Sequence, residues 1–84
     1  MMTELGKQTF ELVCRYDLGK YYQAEVGNLV FRPEELTVEV TARIMKFLRR
    51  NHGWVMGYEF DGDEYYAYVT PIEFLADCHG FTQG

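Results

Sequence analysis

Residues 54–69 read WVMGYEFDGDEYYAYV, two alternating runs on either side of an Asp-Gly step. Asp-Gly between such runs signals a β-hairpin, because a type I′ turn needs positive φ at both central residues. Side-chain parity then assigns the faces. Trp54, Met56, Tyr58 and Phe60 share one face and meet Tyr65, Ala67 and Val69 across the turn. Central residues Asp61-Gly62 or Gly62-Asp63 give the same faces, since either register pairs an even position with an odd one. This face is apolar and is expected to join the core. The opposite face carries Val55, Gly57, Glu59, Glu64, Tyr66 and Tyr68, acidic near the turn and aromatic in the middle.

A second hairpin is expected upstream. From Gln8, Phe10, Leu12, Cys14 and Tyr16 alternate with Thr9, Glu11, Val13 and Arg15, which predicts a half-buried strand with Cys14 on the core side. Residues 1–6 form a frayed lead. Asp17-Leu18-Gly19-Lys20 reads as a turn with Gly19 supplying positive φ. Tyr21 to Val26 reads as a strand, so one of Tyr21 and Tyr22 points away from the core. Gly27-Asn28 is a further turn signal, Leu29 to Arg32 a short strand, and Pro33 its stop.

Two helices complete the expectation. Thr37 can N-cap the first, with Glu39 in its first turn and Arg49, Arg50 and His52 at its end, each where the helix dipole favours that charge. The β-branched run at 37–41 also fits a strand, but the caps favour a helix. Val40, Ile44, Phe47 and Leu48 recur at helical spacing as its buried stripe, and Gly53 suits the left-handed residue that ends it. Thr70-Pro71-Ile72-Glu73 has the form of a capping box with proline at the first helical position. It predicts a short helix to His79 stopped by Gly80, with Phe74, Leu75 and Cys78 on one face and 81–84 as a tail. The order β-β-(β)-α-β-β-α predicts one α+β domain over residues 1–84. It is a small antiparallel sheet of two hairpins with helices packed on one face.

A chain of 84 residues buries only about 60–65% of its unfolded surface, so its core must be dense to hold. The 17% aromatic content supplies that density. No apolar run approaches the roughly 20 residues that span a bilayer, and the first ten residues lack the apolar stretch of a signal peptide. The expectation is a cytoplasmic protein without a membrane role, with Cys14 and Cys78 reduced and buried rather than joined.

No reaction is legible. Cys14, His52, Cys78 and His79 lack the paired spacing of a zinc site. A nucleophilic cysteine would need a base and an orienting group beside it, and a core cysteine is inert. The acidic DGDE run lacks the ligand spacing of a calcium loop. The chain is therefore read as no enzyme, with no cofactor and no metal.

Charge supplies the functional expectation. The net charge is −5, yet residues 43–50 hold Arg43, Lys46, Arg49 and Arg50, and no Lys or Arg follows Arg50. The acidic last third suits docking on a basic surface of a partner protein, including one that handles nucleic acid. The expected site is Tyr66, Tyr68, Glu64, Glu59, Asp61 and Asp63, since exposed tyrosines anchor interfaces. The class expected is a small regulator or inhibitor of the kind phages and mobile elements encode. Arg43, Lys46, Arg49 and Arg50 form an alternative face for direct nucleic-acid binding, which the net charge disfavours. A homodimer that buries the tyrosines by two-fold symmetry is the third reading.

Overall fold

The computed structural model describes residues 3–73. Its elements are α1 (Glu4–Cys14), β1 (Tyr22–Gln23), β2 (Asn28–Phe31), α2 (Val38–Arg50), β3 (Trp54–Asp61) and β4 (Glu64–Pro71), with 3-10 turns at Gly19–Tyr21 and Pro33–Glu35. The sheet order is β1-β2-β4-β3, every neighbour antiparallel, so two hairpins meet through β2 and β4. The fold is α+β.

The first expected strand is a helix. Thr3 accepts a hydrogen bond from the Gly6 amide at its hydroxyl, 3.0 Å, and Glu4 sits in the first turn. The helix thus begins inside the stretch expected to fray. One inversion decides between the two periods: Val13, assigned outward by alternation, is fully buried, and Cys14, assigned to the core, is exposed. The end of α1 is equally local. Leu18 donates its amide to Val13 carbonyl and Asp17 donates to Cys14 carbonyl, the Schellman pattern. The residue with positive φ there is Asp17, at 60°, not Gly19. This turn folds fully buried Leu18 back against Val13 in the core.

The 3-10 turn at Gly19–Tyr21 shortens the expected strand to two residues and removes its alternation. Tyr21 is consequently buried, its ring centroid 4.6 Å from that of Phe31, while Tyr22 packs on Phe10 at 5.9 Å. Neither tyrosine points away from the core. The pairing of Gln23 with Asn28 leaves 24–27 as the loop, closed by Gly27 at φ 75°.

Helix α2 follows its sequence signals. Thr37 accepts from the Val40 amide at 3.2 Å, and Val40, Ile44 and Phe47 are buried, with Leu48 partly so. Its end departs from expectation, for Gly53 lacks positive φ. Side chains satisfy the last carbonyls instead: Asn51 Nδ2 donates to Phe47 O at 2.9 Å, and His52 Nε2 lies 2.9 Å from Arg49 O.

Both helices lie on one face of the sheet. Phe47 of α2 meets Trp54 edge-on at 5.1 Å and Tyr16 beyond α1 at 5.1 Å, and Phe10 of α1 meets Tyr22. Against them the sheet presents Leu29, Phe31, Ala67 and Val69, all fully buried. Strand β4 runs through Thr70 and Pro71, so the expected cap Thr70 is a buried strand residue; Ile72 and Glu73 are helical. The rest of the expected second helix, its face of Phe74, Leu75 and Cys78, and the tail lie outside the described residues.

Candidate functional site

The β3–β4 register fixes the site. Asp61 pairs with Glu64, so the turn is Gly62-Asp63. Only Gly62 has positive φ, 68°, which is the type II′ pattern rather than type I′. Glu59 pairs with Tyr66, and Tyr66 donates its phenol proton to Glu59 Oε1 at 2.9 Å. That hydrogen bond, some burial, and the negative charges of Glu59 and Asp61 raise the Tyr66 pKa above 10.0.

Beside this pair a groove of about 490 Å³ runs between the hairpin tip and the 3-10 turn after β2. Asp61, Asp63, Glu64 and Tyr66 line it, together with Glu34 and Tyr65. Among the described residues, Arg32 is its one cationic lining residue. Four of the six expected anchors therefore converge here, and Glu59 adjoins them through Tyr66. Tyr68 does not. Its ring lies over Gly57, where an added Cβ would stand 2.8 Å from the phenol oxygen. Glycine opposite tyrosine lets the ring cover the bare backbone, so Tyr68 closes the sheet surface.

Alternation missed two features of this site. Glu34 arrives from a 3-10 turn that Pro33 initiates, and nothing in the sequence pairs it with residues 61–64. More consequential is the apolar face. Tyr58, Phe60 and Tyr65, expected in the core, are exposed at 60%, 76% and 41%. Tyr65 packs on both others, at 6.3 Å and 5.7 Å between centroids. The hairpin outruns the helices, so its tip shows aromatics on one face and carboxylates on the other.

The basic residues form a separate groove of about 400 Å³ at the end of α1. Arg43, Lys46 and Arg50 line it with Arg15, Tyr16 and Asp17. Alternation places Arg15 on a strand face, whereas helix α1 brings it here. Asp17 pairs with Arg43 at 3.4 Å, which offsets part of the positive charge. Arg49 lies outside the group.

Among the described residues, no three His, Cys, Asp or Glu side chains converge as a metal site requires. No described helix is long and apolar enough to cross a membrane. The chain matches no protein-family model, no curated protein and no solved structure.

Proposed function

We propose that this chain is a small acidic regulator or inhibitor that binds a partner protein, docking the tip of its β3–β4 hairpin on a basic surface. The observation that carries this reading is the convergence of Glu34, Asp61, Asp63 and Glu64 on one groove. Asp61 and Glu64 stand directly opposite each other in the ladder. Like charges so placed oppose folding, and a cationic partner surface would offset them. Tyr65 and Tyr66 supply aromatic contact area beside the charges. A surface that ordinarily holds nucleic acid has the required sign, which suits a regulator of nucleic-acid-handling machinery of the phage or mobile-element kind. The reading places the chain in the cytoplasm, where an exposed Cys14 thiol stays reduced.

The second reading, direct nucleic-acid binding, is favoured by the addition of Arg15 to Arg43, Lys46 and Arg50 around one groove. One experiment separates the two. The chain is used as bait in host lysate, with and without nuclease, beside an Asp61→Asn/Asp63→Asn/Glu64→Gln variant. The proposal expects a stoichiometric protein that survives nuclease, elutes with salt, and is lost from the variant. Capture that vanishes with nuclease moves the function to the basic groove. Capture unchanged in the variant removes the hairpin tip from the interface.

A further inference from the structure

We propose that β3 accepts an added strand: an extended segment of the partner, alternating basic and apolar residues, pairs antiparallel with the edge of β3 that has no neighbour among the described residues. This rests on the reading of the hairpin tip as a protein-docking surface and specifies how the partner is held.

Three observations carry it. First, β3 is an edge strand of eight residues whose described neighbour is β4 alone. Protected edges are short, or carry charged side chains (Lys above all), Pro or a bulge. The other edge, β1, has two residues. Strand β3 is long, pairs without interruption from Trp54 to Asp61 and contains no Lys, Arg or Pro; its charges, Glu59 and Asp61, are acidic, so they bar an acidic strand and admit a basic one.

Second, the hydrogen-bond phase aims the right groups outward. Ile72 donates its amide to Gly53 carbonyl at 2.7 Å, in the same register as the ladder. Bonded pairs alternate along an antiparallel ladder. Positions 55, 57, 59 and 61 therefore bond to β4, and Met56, Tyr58 and Phe60 direct N–H and C=O to the open edge. From Tyr58 to Asp61 the strand is exposed.

Third, the two faces of that exposed half differ in chemistry. Tyr58 and Phe60 offer aromatic surface on the helix side, and Glu59 and Asp61 offer charge on the other. An incoming strand places alternate side chains on alternate faces. Apolar side chains would meet Tyr58 and Phe60, and basic ones would meet Glu59 and Asp61. Charge complementarity thus selects a basic strand over a second copy of this chain, whose net charge is −5.

The probe is a short labelled peptide alternating lysine and valine, with binding read by fluorescence anisotropy. In the antiparallel arrangement its valines lie opposite Tyr58 and Phe60, and their amides bond to β3. N-methylation at the valines should weaken binding about tenfold or more. N-methylation at the lysines, whose amides face away, should leave it unchanged. Phe60→Lys should weaken binding to a similar extent without moving the melting curve. Equal binding by both methylated forms, or by a shuffled peptide of the same composition, overturns strand addition. It leaves acidic docking in place if the lysate partner is still lost from the Asp61→Asn/Asp63→Asn/Glu64→Gln variant. Absence of peptide binding at low salt overturns the inference likewise. So does a dimer of the chain alone that Phe60→Lys dissociates, since the edge then belongs to a second copy.

Discussion

The two ends of the β3–β4 hairpin carry the same alternating pattern and meet opposite fates. At the base, Trp54 and Met56 pack on the core and Val69 is fully buried. At the tip, Tyr58, Phe60 and Tyr65 continue the same face, yet water reaches them. The difference lies in what stands opposite. Phe47 of α2 closes the base edge-on against Trp54. Along β3 burial falls from half-buried at Trp54 to Gly57 to exposed at Tyr58 to Asp61. Part of the hairpin is left to project. Binary pattern marks which side chains could be buried together, and the tertiary neighbours opposite decide which are.

The sharpest way to break this comparison is to truncate one aromatic at each end. Phe47→Ala removes a fully buried ring that touches both Trp54 and Tyr16. It should cost about 3–5 kcal/mol, enough to unfold much of a domain this small, as read by urea denaturation. Phe60→Ala should change stability by less than about 0.5 kcal/mol, since its ring is mostly solvated. A loss at Phe60 comparable to that at Phe47 would mean the tip is covered in solution and is no docking surface.

Gly57, midway along β3, tests where the boundary falls. A Cβ there would meet Tyr68 Oη at 2.8 Å and Cζ at 2.9 Å, so Gly57→Ala must displace the ring. The expected cost is about 1–3 kcal/mol, and Tyr68→Ala in the same background should make the glycine change milder. Additive effects would show that the ring does not rest on this glycine. A smaller effect sharpens the contrast from the helix side. Thr37→Ala removes the hydroxyl that caps α2 and should cost about 1 kcal/mol in thermal or urea unfolding, leaving the tip's binding unchanged.

Legibility followed the same logic. The hairpin, its faces and the capped helix α2 were readable because their signals are local and agree: parity, a turn glycine, a threonine cap, a 3.6-residue stripe. Residues 4–14 were misread because Phe10, Leu12, Cys14 and Tyr16 happen to alternate. Thr3 and Glu4 were the available correction, a cap and a first-turn anion that a strand does not need. The clustering of acidic side chains at 59–64 was legible from turn chemistry, whereas Glu34 and Arg15 reach their grooves through tertiary placement alone. Exposure of Tyr58 and Phe60 depends on which tertiary neighbours stand opposite them, which periodicity does not encode. Burial of Tyr21 depends on a 3-10 turn that replaces expected strand.

The smallest expected effect probes the acidic face by pH. Tyr66 donates to Glu59 and lies near Asp61, so its folded pKa stands above 10.0, and the neutral phenol is the form the fold favours. The sign follows from linkage: a group whose pKa is raised on folding stabilises fully below its unfolded value and loses that contribution as pH climbs through the folded one. The window therefore opens above pH 10, and at neutral pH the contribution is complete. Phenolate absorbance, taken as the difference between the wild type and Tyr66→Phe, should show this one tyrosine ionising late. Glu59→Gln should bring its titration down toward the ordinary value, because the substitution removes both the anionic acceptor and the nearest negative charge. A titration unmoved by Glu59→Gln would detach Tyr66 from the carboxylates, and the hairpin's outer face would lose the coupling that distinguishes it from the aromatic face behind.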